Sequence, residues 1–140
     1  MRRTAPKTPA ILLIDDHAVF AKIFSAYLLR THFNSYFVEN ATSLHIATQH
    51  LKNQSYDLIV LDNRIPPHLN YIESVNILIK ANWTGPILLM SGEEIKLDEE
   101  SSGDKHISCF LLKDDLNENT LNQAINQCLN KHTSQSIQDS

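Results

Sequence analysis

No apolar run in these 140 residues approaches the roughly 18 residues of a membrane-spanning helix. Membrane insertion is therefore not expected. The amino terminus, Met1 to Pro9, is basic but lacks the apolar segment of a secretory signal. It reads as a flexible tail over residues 1–9, and a cytoplasmic location is the expectation. Arg2, Arg3 and Lys7 can touch an anionic partner, although a solvated tail is the simpler reading. An excess of positive charge is also missing. The net charge is −4, which argues against general nucleic-acid binding. Cysteine is scarce. Cys109 and Cys128 match no metal or redox spacing, and they read as a strand thiol and a helix thiol in a reducing compartment. The seven histidines are scattered. His45 and His50 are five apart and do not share a helix face well enough to form a metal pair. Repeats and low-complexity blocks are absent.

What remains is an ordinary globular composition, 42% apolar, in a length that fits one domain with a sizeable core. Strand-like runs fall at Ala10–Ile14, Ser35–Val38, Leu58–Leu61, Ile87–Met90 and Cys109–Leu112. Helical spacing fills most gaps. Val19, Ile23, Tyr27 and Leu28 make one stripe, broadened by Phe20 and Phe24. Leu44, Ile46, Ala47 and Leu51 make a second, behind the start signal Asn40-Ala41-Thr42-Ser43. Ile72, Val75, Ile77, Leu78 and Ala81 make a third, and Leu121, Ala124, Ile125, Cys128 and Leu129 the last. Alternating strands and helices predict a parallel sheet with helices on both faces. Glu93 to Lys105 breaks the rhythm. Its apolar residues are Ile95 and Leu97, two apart, so a helix there has little to bury and should be short, irregular and mobile. Thr133 to Ser140 is polar and is expected to be a disordered tail, residues 133–140.

The chemistry gathers where the strands end. Ile11-Leu12-Leu13-Ile14 runs into Asp15-Asp16, and Leu58-Ile59-Val60-Leu61 into Asp62. Ile87-Leu88-Leu89-Met90 ends in Ser91, and Phe110-Leu111-Leu112 in Lys113. In a parallel sheet all of these reach the carboxyl edge, where open α/β sheets bind ligands. Each piece alone has a plain explanation, since an aspartate after a strand is often a turn or cap residue. The coincidence of all four strand ends is harder to explain that way. Crowded carboxylates repel, and a hard divalent cation such as Mg²⁺ relieves that repulsion. Lys113 brings a compact positive charge for Asp62 or a phosphoryl oxygen. An aspartate can also act as a nucleophile and hold phosphate as an acyl phosphate.

Over roughly residues 10–132 the chain resembles the receiver domain of two-component response regulators. The resembling segments are Ile11 to His17, Asp57 to Asp62, Leu89-Met90-Ser91-Gly92 and Cys109 to Asp114. The resemblance implies a flavodoxin-like, doubly wound five-stranded parallel sheet of order 2-1-3-4-5, with a weak or irregular fourth helix. It makes Asp62 the phosphoacceptor. Asp16 would bind Mg²⁺ directly, Asp15 largely through water, and the backbone carbonyl of Arg64 would be a further ligand. Ser91 becomes the switch hydroxyl, Phe110 the aromatic rotamer switch and Lys113 the phosphate-binding lysine. A sensor histidine kinase or histidine phosphotransfer protein would be the donor, a downstream protein the target, and the protein a monomer or weak dimer. The short remainder after the last helix leaves no room for a DNA-binding domain, so a stand-alone receiver is expected.

Three departures stand out. Pro66-Pro67-His68-Leu69-Asn70 replaces the usual glycine-containing turn, and Asn70 is expected to take the left-handed conformation. Arg64 is unusual beside the phosphoacceptor and is expected to face Glu93, the pair flanking the path of hydrolytic water. The weak fourth helix lies on the face through which receivers usually signal. The expected function is a phosphorylatable switch that catalyses only its own phosphoryl acceptance and slow dephosphorylation. A degenerate receiver, binding partners without phosphate control, is the alternative. An aspartate-based phosphohydrolase would want a second acid at the position of Arg64.

Overall fold

The computed structural model describes residues 8–67, 70–97 and 104–139. Five parallel strands form one sheet: β1 (Ala10–Ile14), β2 (Phe37–Ala41), β3 (Leu58–Asp62), β4 (Ile87–Ser91) and β5 (Cys109–Leu112). Their order is β2-β1-β3-β4-β5, as expected. Among the described residues four α-helices accompany them: α1 (Ala18–Leu28), α2 (Leu44–Asn53), α3 (Tyr71–Lys80) and α4 (Glu118–Asp139). Among the described residues between β4 and β5, the only helical element is the 3-10 turn Asp104–His106. Part of the segment expected to be mobile, residues 98–103, lies outside the described residues, as do residues 1–7 of the expected amino-terminal tail.

The three central strands are buried on both faces, which is why they read as continuous apolar runs. Their side chains alternate between two cores. Leu12, Ile14, Ile59, Leu61, Ile87 and Leu89 pack beneath α2 and α3 with Leu44, Val75 and Leu78. Ile11, Leu13, Leu58, Val60, Leu88 and Met90 pack beneath α1 and α4 with Phe24, Leu121, Ile125 and Cys128.

Several expectations need correction. The second strand is not Ser35–Val38 but Phe37–Ala41. Tyr36 still belongs to a turn, its N–H donating to the Phe33 carbonyl and its ring lying edge-on to Phe33. As an edge strand, β2 accommodates Glu39 and Asn40, which no apolar run would include. The α1 stripe is rotated: Val19 is 70% exposed and Ile23 43%, while Phe24 and Leu28 are buried and Phe20 packs against them. Asn70 is extended (φ −157°) and caps α3, accepting the Ile72 N–H at 2.9 Å. Among the described residues the left-handed one is Asn82 (φ 72°), just after α3. Finally, the backbone from Thr133 to Asp139, expected as a tail, is helical. No glycine or proline follows Lys113 to stop α4.

Candidate functional site

The sheet register sets the site. Ile14 pairs with Leu61 and Asp62 with Met90, while Ser91 pairs with Leu112. The next residues along β1 and β5 are Asp15 and Lys113. All four neighbouring strand ends therefore meet at one edge. Asp15, Asp62 and Ser91 are buried there although they are polar.

Lys113 ties the edge together. Its Nζ lies 2.9 Å from Asp15 Oδ2 and 3.0 Å from Asp62 Oδ1. The same ammonium sits 4.2 Å above the centre of the Phe20 ring, an additional favourable contact for a cation. Burial pulls the Lys113 pKa down, but the bonds to Asp15 and Asp62 outweigh it and the net shift is upward. Asp62 is also pushed up. Burial is the main cause and the Asp15 charge the second, with Lys113 working in the opposite direction. A buried carboxylate beside another thus carries an uncompensated cost that one lysine does not remove.

Asp15 is fully engaged. Its Oδ1 accepts the His17 N–H at 2.8 Å and lies 3.1 Å from His17 Nδ1, and its Oδ2 is held by Lys113. Asp16 differs. His17 Nδ1 is 3.2 Å from Asp16 Oδ1, yet that oxygen is buried and has no hydrogen-bond partner of good geometry. One ligand atom from each of Asp15, Asp16, His17 and Asp62 falls within a 4.8 Å cluster. Three carboxylates, a single strongly bound ammonium and one unsatisfied buried oxygen fit a hard divalent cation.

A cleft of about 370 Å³ opens over Asp62, lined by His17, Asn63, Arg64, Ser91, Glu93 and Lys113. Arg64 and Glu93 form an ion pair across it, as expected, with both side chains largely exposed. Ser91 Oγ accepts the Glu93 N–H at 3.0 Å, which fixes the loop after β4. Asn63 is buried. Its N–H donates to the Met90 carbonyl and its side chain accepts the Tyr71 N–H at 3.2 Å, joining the loop after β3 to α3. Phe110 is partly buried on the α2/α3 side of the sheet. It does not line the cleft over Asp62, and it sits in β5 three residues before Lys113.

Three residues at the site had no role assigned from sequence. His17 follows the acid pair and shares its oxygens. Asp-Asp-His as a unit was the available signal. Phe20 was visible only as an apolar stripe residue. Asn63 carried no signal, because its role depends on a hydrogen bond to a helix eight residues away.

A doubly wound parallel sheet with acids, serine and lysine at its carboxyl edge defines a flavodoxin-like fold with an acidic pocket. The sequence profile of the response regulator receiver domain matches residues 11–126, and the chain belongs to that family. Among solved structures, the signal receiver domain of an HD domain-containing protein from Pseudomonas fluorescens Pf-5 is similar at 22% identity and a TM-score of 0.72, covering 91% of this chain and 99% of that one. The chemotaxis response regulator CheY4 of Vibrio cholerae is similar at 22% identity and a TM-score of 0.66, covering 88% and 100%. The receiver domain of a putative Luxo repressor protein from Vibrio parahaemolyticus has a TM-score of 0.75 at 16% identity, covering 96% and 99%. At these identities the likeness speaks to the fold alone. No curated protein matches the chain by sequence. Among the described residues no helix is long and apolar enough to cross a membrane.

Proposed function

We propose that this receiver accepts a phosphoryl group on Asp62 from a phosphohistidine donor and that the modification changes its preference for a protein partner. The observation that carries this is the Lys113 ammonium, bonded at once to buried Asp15 and Asp62 at the floor of an open cleft. An Asp62 oxygen attacks phosphorus in line, the P–O bond forms, and the P–N bond to the donor imidazole breaks. Lys113 is placed to follow the new charge onto a phosphoryl oxygen. Ser91 borders the same cleft and would turn its hydroxyl toward that oxygen, with Phe110 changing rotamer behind it.

Asp16 and Asp62 would hold Mg²⁺, with Asp15 acting through water and the Arg64 carbonyl completing the set. Both Asp15 oxygens are already engaged, which supports the outer role for Asp15. The cation, when bound, neutralises charge that develops during phosphoryl transfer. Turnover of other substrates is not part of this function, because the phosphoryl group stays on the protein until water removes it. The donor would be a histidine kinase or phosphotransfer protein and the acceptor of the signal a downstream protein.

The test is incubation with acetyl phosphate and Mg²⁺, followed by intact mass. Wild type should gain one phosphoryl group, labile to hydroxylamine, and Asp62→Ala should gain none. Equal modification of Asp62→Ala would remove Asp62 from the chemistry. Absence of modification in wild type would favour an interaction module without phosphate control.

A further inference from the structure

The two cysteines, unremarkable in sequence, lie in one core at the opposite end of β5 from the acidic cleft. Cys109 opens β5, about 13 Å along the strand from Lys113 at ~3.3 Å per residue. Cys128 lies on the buried face of α4, and both belong to the core between α4 and the sheet. Two contacts place both at the junction of β5 and α4. The Ile87 carbonyl accepts the Ser108 N–H at 2.8 Å and faces Cys128 Sγ at 4.0 Å, so the Cys128 sulfur sits beside the entry to β5. From the other side, Cys109 Sγ lies 3.7 Å from Oε1 of Gln127, the residue preceding Cys128. Each thiol has its own acceptor, Gln127 Oε1 for Cys109 and the Ile87 carbonyl for Cys128. Both are free.

Their surroundings differ. Cys109 is half-buried and borders a cleft of about 530 Å³ with Ser108, Phe110, Gln127, Asn130 and Lys131. Lys131 Nζ is held nearby, 3.4 Å from the Ser108 carbonyl. The neighbouring Cys128 thiol lowers the Cys109 pKa, burial opposes, and the Lys131 charge lowers it further. Cys128 is buried, and the neighbouring Cys109 sulfur together with burial pushes its pKa up and keeps it protonated. An accessible sulfur beside a lysine, backed by a buried thiol, is the environment of a reactive cysteine with a resolving partner.

We propose that Cys109 and Cys128 form a peroxide-responsive dithiol that closes into an intramolecular disulfide between β5 and α4. The Cys109 thiolate attacks one oxygen of hydrogen peroxide; the O–O bond breaks, hydroxide leaves, and Cys109 becomes a sulfenic acid. The Cys128 sulfur then attacks the Cys109 sulfur, the S–O bond breaks, and water leaves with the Cys128 proton. Hydrogen peroxide is the two-electron oxidant and both thiols are oxidised. The bond would staple α4 to the strand that carries Phe110, so oxidation constrains the face next to the proposed rotamer switch.

The test uses the full, reduced chain. It is exposed to hydrogen peroxide, denatured, alkylated and weighed. Wild type should remain a single covalent chain, lighter by two hydrogens and closed to alkylation at both cysteines, and dithiothreitol should reverse this. In Cys109→Ser, oxidation of Cys128 should be slower by at least about tenfold, because its thiol is buried and protonated. In Cys128→Ala, a cyclic dione should trap a sulfenic acid at Cys109. If that variant does not fold, wild type and Cys109→Ser decide the matter. Wild type whose two thiols remain open to alkylation, a disulfide only between chains, or equal oxidation of Cys128 in Cys109→Ser would overturn the proposal.

Discussion

Asp62 is held in a position that does not favour its own charge. Burial and the neighbouring Asp15 raise its pKa above the ordinary 3.8, against the pull of Lys113. The folded state therefore keeps a proton on Asp62 where the unfolded chain has lost it. Ionisation costs stability as pH rises from the ordinary value through the raised one, and the cost persists above it. Lys113 keeps Asp15 as a partner, so Asp62→Asn should be more stable than wild type at pH 7, by on the order of 1 kcal/mol. The advantage should shrink as pH falls below the ordinary carboxylate range. Urea unfolding at both pH values checks this, and a less stable variant at pH 7 would refute it. Arg64 and Glu93 present a different case. Their ion pair is exposed, so it adds little to stability, but it spans the cleft that water must enter. Arg64→Ala/Glu93→Ala should lose its phosphoryl group a few-fold faster than wild type. Equal or slower loss would leave the pair without a kinetic role. At this scale the sequence was readable where a polar residue ends an apolar strand, as at Asp15, Asp62, Ser91 and Lys113. It was not readable for His17, Phe20 or Asn63, whose roles arise from the direction a side chain takes in space.

Helices were legible as elements and less so in their orientation. On α1, Val19 and Ile23 fit the apolar period as well as Phe20 and Phe24 do, and only the sheet decides which row is covered. An all-apolar patch offers two competing stripes, and periodicity cannot choose between them. The edge strand β2 was misplaced for a related reason: half-exposed, it tolerates polar residues. The loop between β3 and α3 gives a sharper contrast. A left-handed Asn70 would predict a gain from glycine, whereas the observed Asn70 is extended and accepts the Ile72 N–H. Asn70→Ala should cost about 1 kcal/mol and Asn70→Gly only a few tenths. Thermal melts of both variants distinguish the two pictures, since a stabilising glycine would contradict the cap. Ser43 serves α2 in the same way, accepting the Ile46 N–H at 3.1 Å, and there the start signal was visible in the sequence.

For the molecule as a whole, the strand order and the meeting of four strand ends could be anticipated because alternating βα units permit few topologies. The sheet supplies a rigid floor, with β1, β3 and β4 buried throughout. The reactive groups stand where that floor stops and the loops begin. This arrangement sets the charged groups at the margin of the core. The account rests on Asp62, alone among the three clustered aspartates, being the acceptor. Reduction of the acetyl phosphate-treated chain with borohydride converts an aspartyl phosphate to homoserine, which peptide mass spectrometry then locates. The account predicts homoserine at position 62, dependent on Mg²⁺. Homoserine at position 15 or 16, or modification unaffected by removing Mg²⁺, would contradict it.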